Sequence, residues 1–119
     1  MRGVEWILRA EAAAIFAVGA WLAFLVSPSP WLVLPLLLVP DVSMLGYLGG
    51  PRLGAITYNA VHNVVLPIVL LVVGWLLVAV PVVLAGAILL AHVGMDRALG
   101  YGLKLPTDFR DTHLGRIGR

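Results

Sequence analysis

Residues 53–95 contain no aspartate, glutamate, lysine or arginine, and that single uncharged stretch restricts the fold more than any other part of the chain. A helix crosses the hydrocarbon core of a bilayer in about 20 apolar residues, so the stretch is long enough for two crossings, with a turn expected near Val78–Pro81. Two further apolar runs precede it, at 4–26 and 31–48, separated by the turn Ser27-Pro28-Ser29-Pro30. The first has the length of a span and no small-residue cleavage site, so it reads as a retained helix rather than a signal peptide. With spans at about 52–76 and 81–99, residues 1–99 are expected to form an all-α, integral membrane four-helix bundle, followed by a polar tail at 100–119.

Composition excludes several classes of function. Hydrophobic residues make up 61% of the 119 and charged residues 12%, against about a quarter charged in soluble domains. Four spans leave no room for a separate soluble catalytic domain. The absence of cysteine removes disulfides, thiolate nucleophiles and thiolate metal sites, so any metal ligand must be His, Asp or Glu. The basic residues lie at or beyond the ends of the apolar runs, a distribution that fits a lipid bilayer as partner and not nucleic acid.

That distribution also orients the chain. Arg2, Arg9, Arg52, Arg97, Lys104, Arg110, Arg116 and Arg119 all belong to one side of a four-span topology, whereas the turns at 27–30 and 77–81 carry no charge. The positive-inside rule then places both termini in the cytoplasm. Trp31, just after the first turn, suits an interfacial anchor, and Ala10, Ala13, Ala17 and Ala20 form a small-residue stripe on which a neighbouring helix could pack. Pro35 and Pro40 lie within the second span, so a kink is expected near Pro40, with the freed carbonyl met by a neighbour.

Ionisable groups inside a membrane are costly and point to a purpose. In antiparallel helices joined by short turns, residues equidistant from a turn share a depth, at about 1.5 Å per residue. About the last turn, His62 lies level with Met95, within reach of both His92 and Asp96; about Gly50, Asp41 lies level with Asn59; about Pro28, Glu11 lies level with Leu45. Glu11, Asp41, Asn59, His62, His92 and Asp96 thus fall in one slab of the cytoplasmic half. His92 and Asp96 share a helix face, as do Tyr58 and His62.

Two imidazoles and a carboxylate resemble the ligand set of catalytic zinc and other divalent metal sites. His62, His92 and Asp96 are the expected ligands, with Asp41 or His113 as a fourth ligand or a supporting group, and Glu11 or Asp41 as the general base. Such a site would suit hydrolysis of a membrane-partitioned ester or amide. Haem or a pigment fits less well, because histidines on adjacent helices are too close to sandwich a macrocycle. Three other readings remain open: hydrogen bonds that hold the bundle, an accessory subunit of a larger membrane complex, and a transporter or channel acting as a homo-oligomer.

Several motifs in order, Pro40-Asp41-Val42-Ser43-Met44-Leu45-Gly46-Tyr47, Tyr58-Asn59 with His62, Ala91-His92 followed by Asp96-Arg97, Gly100-Tyr101-Gly102-Leu103-Lys104 and Thr112-His113-Leu114-Gly115, resemble the domain of unknown function 4260 family of small bacterial membrane proteins. The resemblance covers nearly the whole chain. It implies a four-helix protein of the bacterial inner membrane and brings no established activity, ligand or catalytic residue. It does place Asp41, Tyr58, Asn59, His62, His92, Asp96 and His113 within shared motifs.

Overall fold

The computed structural model describes residues 3–117; Arg2 and Arg119, part of the charge pattern above, lie outside them. Five α-helices follow one another: α1 (Gly3–Val26), α2 (Pro30–Leu36), α3 (Pro51–Val61), α4 (Val65–Leu76) and α5 (Val80–Ala98). A 3-10 helix, Val39–Gly49, continues α2. Taken together they make four segments long and apolar enough to cross a membrane: Gly3–Val26, Pro30–Gly49, Pro51–Leu76 and Val80–Ala98. The protein is an all-α four-helix bundle.

The last span is the centre of the bundle. In its most apolar stretch 44% of residues are buried, against 11–17% in the other three. Glycines allow its close approach to α1: a Cβ on Gly94 would sit 2.4 Å from the Phe16 backbone nitrogen, and one on Gly19 2.5 Å from that of Ala91. Between apolar helices in lipid, such van der Waals fit replaces the hydrophobic drive that soluble helices use. The packing face of α1 is therefore Ala12, Gly19 and Ala23. The expected stripe is not the one used, since Ala10, Ala13 and Ala17 are exposed. Trp31 and Trp75, 78% and 80% exposed, flank the two charge-free turns, where amphipathic rings suit a membrane–water boundary.

Two of the four spans are interrupted, and proline explains both interruptions. Its ring clashes with the carbonyl four residues earlier. Pro40 thus ends α2 at Leu36, so the break comes before Pro40 rather than at it, and the chain continues as a 3-10 helix. Pro67 acts in the same way on Asn63, and the third span, expected to be continuous, breaks between Val61 and Val65. Asn63 secures both sides of that break: its Nδ2 donates to the Asn59 and Ala60 carbonyls at 2.9 and 3.0 Å, and its Oδ1 accepts the Leu66 N–H at 2.8 Å.

After α5 the chain turns back over the bundle end. Gly100, at φ 97°, reverses it in a conformation natural to glycine. A short antiparallel pair, β1 (Asp111–Thr112) and β2 (Gly115–Arg116), is tied by the Arg116–Asp111 ion pair, and Lys104 bridges to Thr112. The tail is a folded element pinned to α3, where Asn59 Oδ1 accepts the Lys104 N–H at 2.7 Å and Asn59 Nδ2 donates to the Lys104 carbonyl at 2.8 Å.

Candidate metal centre

Four side chains from three spans meet beside the two breaks. Asp41 comes from the 3-10 helix, His62 from the residue that ends α3, and His92 and Asp96 from successive turns of α5. His62 Nε2 and His92 Nε2 lie 3.1 Å apart. Asp41 Oδ1 is 3.3 Å from the first and 3.0 Å from the second, and Asp96 Oδ2 is 3.8 and 3.3 Å from them. One ligand atom from each of the four lies within 4.8 Å of the others. Ligands of a tetrahedral ion with bonds of 2.0–2.2 Å stand about 3.4 Å apart, so the four residues could hold a metal ion.

The backbone decides which face each imidazole presents. His92 Nδ1 lies 2.5 Å from the Leu37 carbonyl, and His62 Nδ1 lies 2.9 Å from the Tyr58 carbonyl. A carbonyl can only accept, so each Nδ1 carries a proton and each ring turns its Nε2 inward, toward the other imidazole and the carboxylates. The Leu37 carbonyl is free because the Asp41 N–H turns to the Leu38 carbonyl in the 3-10 helix; the carbonyl that Pro40 itself would leave free is that of Leu36. Arg97 donates to the His62 carbonyl at 3.1 Å, and the Tyr58 ring stacks on that of His62 with centroids 3.7 Å apart. Both histidines are buried, at 2% and 0% exposure. Two imidazole nitrogens and two carboxylate oxygens therefore converge, an arrangement that imidazole protons satisfy as His–Asp pairs and that could also hold a metal ion.

Of the residues singled out from the sequence, the structure brings together Asp41, His62, His92 and Asp96. Glu11 and His113 lie outside the cluster, along a separate cavity of about 520 Å³ that Arg9 and Arg97 also line. The His113 Nδ1 accepts the Leu103 N–H at 2.8 Å and so fixes the tail. Burial, and then the neighbouring Arg97 charge, hold its imidazole below the ordinary histidine value.

Access is from the carboxylate side. The Asp41 side chain is 37% exposed and that of Asp96 15%, against 3% and 1% for the two histidines. An apolar cavity of about 560 Å³ is lined by Pro40 and Val42, the residues either side of Asp41, with Ser43, Leu84 and Ile88, and by none of the four cluster residues.

A family profile described as Domain of unknown function (DUF4260) matches residues 5–117. The chain belongs to that family. No curated protein and no solved structure matches it.

In this DUF4260 chain one residue of the site is invisible to the sequence reading. Lys104 reads as an interfacial charge in a polar tail, yet it is only 4% exposed. Its Nζ lies 3.9 Å from the centre of the Phe109 ring and 4.9 Å from that of Tyr58, whose hydroxyl in turn donates to Asp96 Oδ2 at 3.3 Å. Burial pulls the ammonium below the ordinary lysine value, opposed by Asp96 and Asp41. The signal available was its place in the Gly-Tyr-Gly-Leu-Lys motif, which gives no hint of what the tail folds onto.

Proposed function

We propose that the protein holds one divalent metal ion, such as zinc, through Asp41, His62, His92 and Asp96, and is a hydrolase of a membrane-partitioned ester or amide. One observation carries this reading: two Nε2 atoms, each ring fixed by a backbone carbonyl behind it, converge with two carboxylate oxygens within 4.8 Å of one another. A hydrogen bond behind each imidazole is the usual support of histidine ligands. A bound ion would supply Lewis acidity, acidifying a water and polarising the substrate carbonyl. His62, His92 and Asp96 would keep hold of the ion while Asp41, the more exposed carboxylate, yields its place to the water; Asp41 would then carry the water's proton to the leaving group as the water oxygen bonds to the acyl carbon and the acyl–leaving-group bond breaks. The cavity lined by Pro40 and Val42 supports a substrate that arrives sideways from the bilayer with its apolar part in that groove. We place both termini on the cytoplasmic side of the bacterial inner membrane on the strength of the charge pattern.

A second reading, an accessory subunit of a larger complex or a homo-oligomer, draws on the outward-facing Ala10, Ala13 and Ala17, which no helix of this chain covers. Elemental analysis of detergent-purified protein separates the two. The metal reading expects about one zinc, manganese or iron per chain, lost in His92→Ala; no metal in the wild type overturns it. The subunit reading expects copurifying partners and function unchanged in His62→Ala. Visible absorbance in the same sample tests for haem or pigment.

A further inference from the structure

Lys104 needs an explanation that the four ligands do not give. Its backbone is held at both N–H and C=O by Asn59, the residue next to Tyr58, so the tail delivers this ammonium to a fixed place. No side-chain hydrogen bond or ion pair engages its Nζ among the described residues; what meets it are the faces of Phe109 and Tyr58. Aromatic faces attract a cation but satisfy none of its three N–H donors. Phe109 also packs edge-on against Tyr47, whose buried hydroxyl has no hydrogen-bond partner among the described residues. The Lys104 ammonium therefore keeps hydrogen-bonding capacity that no side chain among the described residues uses.

Charge balance points to what would complete the site. A divalent ion would cancel the two carboxylates whose field now acts on Lys104. The ammonium would then be an unmatched positive charge beside an already neutralised centre, close to Arg97, which shares the His62 carbonyl side. A largely buried positive charge without a counter-charge is disfavoured, and an anion removes the imbalance. Of anions that an ion and an ammonium hold together, a phosphate group offers several oxygens to divide between them.

We propose that Lys104 and the metal centre together form a binding site for a phosphate or phosphodiester anion, so that the substrate is a phosphate-bearing molecule. This rests on the metal reading above and names its substrate class. The anion could be a lipid headgroup, with its acyl chain in the cavity lined by Pro40 and Val42, or a soluble phosphate compound.

The test uses full-length protein in a phosphate-free detergent, loaded with manganese, whose unpaired electrons broaden the phosphorus resonance of any phosphate held next to it. The probes are inorganic phosphate and, separately, dihexanoylphosphatidylglycerol. Wild-type protein should broaden at least one resonance; broadening of the lipid probe alone identifies a headgroup, and of phosphate a soluble source. Lys104→Met should bind the probe about tenfold more weakly, the loss of one charge-assisted hydrogen bond, with manganese content unchanged, and Lys104→Arg should retain most of the affinity. Equal broadening in wild type and Lys104→Met overturns the role of Lys104. Full manganese loading with no broadening by wild-type protein overturns the inference while leaving the metal reading intact, and needs no variant to fold. Failure of the wild type to take up manganese or any other metal removes both.

Discussion

His92 shows how one side chain can be fully specified by its surroundings. It is completely buried, its Nδ1 is committed to the Leu37 carbonyl, and its Nε2 is left facing His62 and two carboxylates. His113 is the opposite case, exposed and engaged by a single donor, the Leu103 N–H. Because burial and Arg97 depress its pKa in the folded tail, the neutral ring belongs to the folded form. Its contribution is complete above the unfolded value of about 6.5 and is lost as pH falls from there through the depressed folded value. Hydrogen exchange at the Leu103 amide, corrected for its intrinsic rate, should therefore quicken between pH 7 and pH 5. His113→Gln should abolish that dependence, and an amide equally protected at both pH values would refute the assignment.

The two interrupted spans matter more to the site than the continuous ones. Broken helices deep in a membrane are tolerated where the freed backbone lines a polar site or finds a partner, and here Leu37 and His62 offer carbonyls to His92 and Arg97. Asn63 holds the third span in its broken form, so Asn63→Ala should cost about 0.5–2 kcal/mol, the range for loss of a helix cap, and should weaken metal uptake through misplacement of His62. Denaturant unfolding and metal titration measure the two effects, and a variant with unchanged metal affinity would show that His62 is positioned otherwise. Part of this was legible beforehand. The i,i+4 spacing of His92 and Asp96, with depths counted from the turns, was enough to bring His62 to them and to put Asp41 in the same slab. Glu11 shared that depth yet faces another cavity, because counting along a helix fixes height and not direction. The break at 62–64 was encoded by Asn63 four residues before Pro67, but it was hidden in an apolar run that reads equally well as one helix.

Ligand donors come from the second, third and fourth spans, so occupancy of the centre should hold those spans together. An ion that binds only the folded bundle stabilises it by about 2.7 kcal/mol at a hundred times its dissociation constant. Addition of zinc or manganese should raise the unfolding midpoint of wild-type protein and leave that of His92→Ala unmoved; an equal rise in both would mean binding elsewhere. Lys104 could not be anticipated at this level either, since only the complete bundle end gives the tail something to fold upon. The intimate glycine contact between α1 and α5 has a bearing on synthesis. Of the four spans described, the first finds its main neighbour in the fourth, so during synthesis α1 waits in lipid without its mate until the fourth emerges. Packing of α1 and assembly of the four-residue cluster then fall at the same moment, when the crossing that carries His92 and Asp96 emerges.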